Sequence, residues 1–268
     1  MNIIKKELRI GIKPFAFWVL GLFFLDFVGM IKFSGIEASA GSVNVTELMN
    51  QFPRVVLAVF GIAGLDISTL GGYYAVLAFY ALICVSIYAI HLGTSAINRE
   101  SIDKTYEFIF TKPRKRQYII GIKLLANSMY LILFCIVHVI FSLLAVLALK
   151  IEGNINEAMV LFGVSAFLVG MVFFSMGSFF AAIVRRGEKG VLFSNLCFLT
   201  VFIIGVIYDM LEHGRMLRFL TPLKYFLPQD LLNNDLNIGF MCLCVVIILG
   251  LLYGTVRTFY KKDLTAMN

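Results

Sequence analysis

Charged residues are scarce in this chain: they make up 15% of its 268 residues, against about 25% in soluble domains. Proline, cysteine and histidine are also few, with five, five and three residues. The cysteines form no C-x-x-C pair, which argues against the common zinc and redox motifs. No G-x-x-x-x-G-K-[ST] phosphate loop, H-E-x-x-H zinc motif or nucleophile elbow occurs. The sequence therefore predicts no catalytic residue, no metal site and no nucleotide-binding site on this chain.

Apolar residues, in contrast, make up 60% of the chain, and the mean hydropathy is +0.91. A bilayer core about 30 Å thick is crossed by a helix of roughly 20 apolar residues. Runs of this kind occur at about 14–32, 72–97, 118–149, 158–184, 191–208 and 238–256. None alternates with period two, as a barrel strand would. The sequence predicts an all-α integral membrane protein whose residues 1–268 form a single domain with six transmembrane helices.

The stretch before the first run has its own pattern. Met1, Ile4, Leu8 and Ile12 recur about every four residues beside basic residues, which predicts an amphipathic helix over 1–13. A cleaved signal peptide is the rival interpretation, but its apolar core spans only about 7–15 residues. The longer run from residue 14 favours a retained first span.

The distribution of lysine and arginine predicts the orientation. Seventeen of the 23 fall before the first span, between the second span and the first residues of the third, between the fourth and fifth, or after the sixth. Basic residues are retained on the cytoplasmic side of a membrane. We therefore expect a multi-pass protein with both termini in the cytoplasm, and the net charge of +7 indicates topology rather than nucleic-acid binding.

The loop after the second predicted span, residues 98–116, reads as a short helix. Asn98 or Ser101 can cap its start, Ile102, Tyr106 and Ile109 share one face, and Pro113 ends it. The opposite face is charged. From the residues alone, such a helix is either an anchor on the membrane surface or a docking element for a cytoplasmic partner.

Several residues of this loop form a recognisable frame. They are Glu100, Thr105, Glu107, Pro113 and Arg116, with Lys123 at the start of the third span. The frame resembles the segment after the second span in permease subunits of type-2 ATP-binding-cassette (ABC) transporters. The chain departs from the pattern at Lys104, where the family commonly has glycine.

Two further regions resemble the same family. Residues 52–61 with Gly71-Gly72-Tyr73 resemble the external helix and the entry to the second span. Residues 220–228 resemble an external re-entrant or interfacial segment of the family. They include Pro222 and Pro228, and two prolines cannot continue one regular helix.

The resemblance implies a fold, partners and a function. Residues 1–13 would be an elbow helix, and 98–116 a coupling helix that docks into an ATPase subunit. The implied ATPase-coupling residues are Glu100, Thr105, Tyr106, Glu107, Ile109, Pro113 and Arg116. ATP and Mg would bind to the partner ATPase, and the chain would pair with itself or a second permease in the plasma membrane, in contact with lipid.

The function implied is that of a permease subunit of an ABC exporter, which forms the translocation pathway. Two other functions stay open at this point: an ATP-independent carrier or channel, and a membrane scaffold or assembly factor.

Two ionisable residues inside predicted spans are candidates for a substrate pathway, because charge is costly in the membrane. Asp26 could contact substrate, but pairing with Lys32 or reaching the interface is the favoured expectation. His138 is more often a hydrogen-bonded or lipid-facing neutral imidazole than a relay. Glycines at 163, 170 and 177 and at 250 and 254 predict close helix packing, more within one subunit than between two.

Overall fold

The fold is known from a computed structural model, which describes residues 3–39, 49, 51–102, 116–184, 187–211 and 216–261. Within these residues the chain forms helices and turns, with no strand. The helices are α1 (Ile3–Ser39), α2 (Arg54–Val59), α3 (Leu70–Ile102), α4 (Arg116–Leu149), α5 (Asn156–Ile183), α6 (Gly187–Met210), α7 (Leu217–Leu220), α8 (Pro228–Leu232) and α9 (Ile238–Lys261). A 3₁₀ turn, Pro222–Lys224, lies between α7 and α8.

Within the described ranges, six helices are long and apolar enough to cross a membrane, which confirms the prediction: α1, α3, α4, α5, α6 and α9. Their order and positions follow the apolar runs. The third predicted span, 118–149, is Arg116–Leu149 in the structure. The fourth, 158–184, is Asn156–Ile183.

The predicted elbow helix is not separate from the first span. Residues 3–39 form one helix of 37 residues that passes through Pro14 without a break. The face of its first turns that packs on the bundle carries Glu7 and Gly11, whereas Ile12 is 58% exposed. The predicted apolar face and the face that packs on the bundle are therefore different.

Helices α3 and α5 form the centre of the bundle. Buried residues make up 61% of the apolar window in each of them, against 17% in α6. Tyr74 of α3 packs edge to face on Phe162 of α5. Helix α1 runs antiparallel to α3, with Trp18 against Tyr88 and Phe33 against Tyr73.

Two ends of the bundle follow from these directions. One end, here called the basic end, holds the start of α1, the end of α3 and the start of α4. The other end holds α2 and the cap segment, defined as residues 217–232. Pro222 and Pro228 each stand in the first turn of a new short element. The prediction that the prolines interrupt a regular helix is thus confirmed.

The glycines predicted to pack closely mostly do so within the chain. A methyl group added at Gly163, Gly170 or Gly254 would meet Val139, Val85 or Phe179, respectively, within 3.0 Å. At Gly177 it would meet the backbone of Ile90. At Gly250 it would meet nothing within 4 Å. Packing inside one subunit therefore accounts for four of these five glycines.

Candidate functional site

The basic end carries the segment that sequence analysis singled out. Helix α3 ends at Ile102 and α4 begins at Arg116. Glu100 lies in the last turn of α3, so the two ends of the predicted coupling helix continue into spans two and three. Five of the predicted coupling residues lie outside the described residues: Thr105, Tyr106, Glu107, Ile109 and Pro113. Their assignment stays a prediction.

The buried polar side chains on the two helices that flank residues 103–115 include three near the basic end. They are Asn98 on α3 and Lys123 and Asn127 on α4, each at most 3% exposed. The Asn127 amide donates a hydrogen bond of 2.8 Å to the Lys123 carbonyl oxygen. A buried lysine near a membrane face is costly and therefore a candidate for function. The sequence analysis did not single out Asn127. The signal that could have identified it is its position one helical turn after Lys123, which places both side chains on one face of α4.

An ion pair ties α1 to α3 at this end. Arg99 Nη1 donates to Glu7 Oε2 at 2.7 Å, and the Glu7 side chain is 3% exposed. On the neighbouring side of α1, the Tyr130 hydroxyl of α4 donates to the Leu8 carbonyl oxygen. The first turns of α1 are thus hydrogen-bonded to both helices that flank residues 103–115.

A second side-chain contact between helices lies deeper in the bundle. His138 Nδ1 is 3.2 Å from Asp26 Oδ2, and both side chains are 1% exposed. The preferred expectation for Asp26 was therefore wrong: it neither reaches an interface nor pairs with Lys32, which is exposed. One turn further along α4, the Tyr74 hydroxyl is 3.4 Å from Ser142 Oγ. His138 is a buried, hydrogen-bonded side chain, as its more favoured interpretation predicted.

The burial of the Asp26–His138 pair decides what it can do chemically. Neither group is open to solvent or to a ligand in this arrangement, so the pair joins α1 to α4 and lines no open pathway. The predicted role of Asp26 and His138 in a substrate pathway thus has no support from this geometry, although the two residues predicted separately are brought together.

The cap segment is held by a guanidinium group that sequence analysis did not single out. Arg218 Nε donates to the Lys224 carbonyl oxygen at 3.0 Å, and Nη2 donates to the Tyr225 carbonyl oxygen at 2.9 Å. The same group lies 4.3 Å from the centre of the Phe240 ring on α9. This planar, forked donor satisfies two carbonyls and stacks on a ring at once, which a lysine could not do.

The cap segment also contacts the end of α6. Lys224 Nζ donates to Asp209 Oδ2 at 2.5 Å, with both side chains largely buried. The Thr221 hydroxyl donates to the Val201 carbonyl oxygen at 3.1 Å. Burial raises the pKa of Tyr225 to about 12. Its hydroxyl therefore stays protonated and donates to the Phe219 carbonyl oxygen at 2.8 Å. The cap is a folded, hydrogen-bonded element rather than a loose loop.

The centre of the single bundle is filled. Tyr88, Phe134 and Phe173 are each 0% exposed and pack between α3, α4 and α5. A groove of about 410 Å³ does lie between α4 and α5, lined by apolar side chains such as Val139 and Phe167, but it opens outward. Neither feature forms a polar passage from one end of the chain to the other.

Comparison with known families agrees with the membrane-spanning fold. The sequence profile of the family described as ABC-2 family transporter protein matches residues 1–264. No curated protein matches the chain. The match confirms the family that the sequence resembles. The chain therefore belongs to the ABC-2 family of transporter proteins and is a transmembrane permease of an ABC transporter.

Proposed function

We propose that this chain is the membrane subunit of an ABC exporter, which forms the translocation pathway and is driven by a separate ATPase subunit. The observation that carries the proposal is the family match over residues 1–264. The sequence has no phosphate loop, so the proposal places ATP and Mg on the partner.

The filled bundle supports a pathway between two permease chains. A substrate cannot pass beside Tyr88, Phe134 and Phe173 without unpacking the core, which is as dense as a crystal of small molecules. A pathway at the boundary between two copies, or between this chain and a second permease, needs no such unpacking. Helix α6, the least buried of the spans, has the most surface to offer to such a partner.

The coupling step is proposed to run through residues 98–116. The segment lies between α3 and α4, so a movement imposed on it by an ATPase is carried directly into two spans. Such a movement would couple ATP hydrolysis to the permease although the permease itself does not contact the nucleotide.

Replacement of both Glu100 and Glu107 by glutamine is expected to lower ATP hydrolysis by the purified complex about tenfold, equivalent to about 1.4 kcal/mol. The loss of charge removes contacts proposed for the ATPase while the side chains keep their size. The measurement is ATP turnover in lipid nanodiscs, with the amount of inserted protein determined in parallel.

Glu152→Gln is the matched control, because Glu152 is an exposed acidic residue at the opposite end of the bundle. It should leave turnover unchanged. Full turnover in the double variant would contradict the coupling assignment. Purification without any ATPase subunit would contradict the proposal itself and favour the carrier or scaffold function.

The proposed orientation places the basic end in the cytoplasm of a cell with this protein in its plasma membrane. A cysteine introduced at Glu152 should react with a membrane-impermeant maleimide in intact cells. A cysteine at Lys5, also exposed, should react only after the membrane is permeabilised. The reverse pattern of labelling would overturn the assigned topology.

A further inference from the structure

Glu7 is an unusual residue for its place in the chain. It is an acidic residue in a basic stretch that includes Lys5, Lys6 and Arg9. Its neighbours Lys5 and Arg9 are exposed, whereas Glu7 is 4% exposed. A buried carboxylate requires a charged or hydrogen-bonding partner. The 2.7 Å contact with Arg99 Nη1 provides one.

The position of Arg99 gives this pair its significance. Arg99 stands in the last turn of α3, where the proposed coupling segment, residues 98–116, begins. Tyr130 on α4, the helix that follows the segment, donates to the Leu8 carbonyl oxygen. A methyl group at Gly11 would lie 2.5 Å from the Tyr130 ring, so α1 fits closely against that side chain.

The two contacts differ in what they can transmit. The Tyr130 bond reaches a backbone carbonyl, and packing around Gly11 resists sideways movement of α1. The Glu7–Arg99 bond joins two side chains of opposite charge in a largely buried place, where separation leaves both groups without compensation. A pull on the end of α3 is therefore resisted most strongly at Glu7.

We infer that the Glu7–Arg99 ion pair is a positioning contact that makes α1 move with the coupling segment when the ATPase binds ATP. This inference rests on the proposed function and deepens it. Glu7 touches neither nucleotide nor substrate; it acts through Arg99. Without the pair, α3 and α4 still follow the segment, but the end of α1 that carries Glu7 no longer follows α3.

The test measures two distances in one complex. Spin labels are placed in separate double-cysteine variants at Ile12 on α1 or Leu125 on α4, each paired with Leu196 on α6; all three side chains are about half exposed. The five native cysteines are replaced by alanine. Distances between the spin labels are measured by pulsed electron paramagnetic resonance. The complex with its ATPase is studied in nanodiscs, first without nucleotide and then with ATP, Mg and vanadate.

In the otherwise unchanged protein, both distances should shift by about 2 Å or more on ATP binding, the scale of helix movements in such transitions. In Glu7→Gln, the α1 shift should be lost and the α4 shift retained. The reversed pair, Glu7→Arg with Arg99→Glu, should restore the α1 shift. A purely structural role would not separate the two distances in this way.

Each other result decides between the claims. If Glu7→Gln keeps the α1 shift, the inference is overturned while the proposed function stands. If Glu7→Gln abolishes both shifts in a complex that still holds its ATPase, the pair serves the whole assembly, and the specific role for α1 is wrong. If neither distance responds to ATP in the unchanged protein, the inference is overturned, and the proposed function fails with it only if the same complex shows no ATP turnover.

Discussion

Replacement of His138 by phenylalanine is expected to lower the free energy of unfolding by about 3–5 kcal/mol. The ring volume is nearly kept, but Asp26 loses the group that lies 3.2 Å from its carboxylate. Both side chains are 1% exposed, so water cannot take the place of the imidazole. The cost arises from a buried carboxylate left without a partner rather than from lost packing.

The double variant Asp26→Leu with His138→Phe should recover most of this loss. Removal of both partners leaves no uncompensated charge, and apolar replacements of a buried ion pair are often neutral or stabilising by about 1–4 kcal/mol. We expect the stability of the double variant to lie within about 1 kcal/mol of that of the unchanged protein. Dodecyl sulfate titration in mixed micelles, followed by circular dichroism, measures both variants.

Ile140→Leu is the matched control for substitution on α4, since Ile140 is 45% exposed and faces outward. Its effect should stay within about 0.5 kcal/mol. A His138→Phe protein as stable as the control would show that Asp26 is compensated by another group. A double variant less stable than the single one would show that the residues act by packing and not as a charge pair.

Helix α1 is held in the bundle by polar side-chain contacts to two different helices. Glu7 pairs with Arg99 of α3 near the basic end, and Asp26 pairs with His138 of α4 further along. Only 22% of the apolar window of α1 is buried, so packing alone attaches it less firmly than α3 or α5. The two pairs fix the rotation of α1 about its own axis and its position along the bundle, although α1 is a peripheral helix.

The transmembrane helices could be predicted from sequence because the bilayer imposes a minimum length on every apolar run. The sixth run was placed at 238–256, and α9 begins at the same Ile238. The helix ends at Lys261, beyond the predicted end at residue 256, because a helix can continue past the hydrocarbon core of the bilayer. Hydropathy locates the apolar part of a helix, and the polar turns beyond it carry no such signal.

The ionic contacts could not be predicted from sequence. Asp26 and His138 are 112 residues apart, and Glu7 and Arg99 are 92 apart. Which faces of two helices meet depends on their rotation about their axes, and an apolar span presents lipid-compatible residues on every side. Asp26 was recognised as unusual, but its partner was sought at Lys32, because only local spacing was available.

Close helix packing was predicted on the α5 side, through Gly163, Gly170 and Gly177, but the sequence did not indicate α3 as the partner. The structure adds Gly93 of α3, which was not singled out because one isolated glycine in a helix has no pattern. A methyl group there would lie 2.2 Å from the Phe174 carbonyl oxygen and 3.0 Å from the Ser178 nitrogen. Both obstacles are backbone atoms, so no side-chain rotation relieves the clash.

Gly93→Ala is therefore expected to destabilise the protein by about 3 kcal/mol, at the upper end of the usual cost of overpacking. The two central helices must move apart, although alanine favours a helix by about 1 kcal/mol over glycine. The measurement is the same detergent titration, together with the yield of folded protein after extraction from membranes.

Gly21→Ala is the matched control, because Gly21 lies inside α1 and a methyl group there meets nothing within 4 Å. It should leave stability unchanged or raise it by up to about 1 kcal/mol, which is the helix preference without the clash. Equal effects at the two sites would contradict the close crossing of α3 and α5. A large loss at Gly93 alone would establish that this crossing sets the spacing of the whole bundle, since α1, α4, α6 and α9 all pack around these two helices.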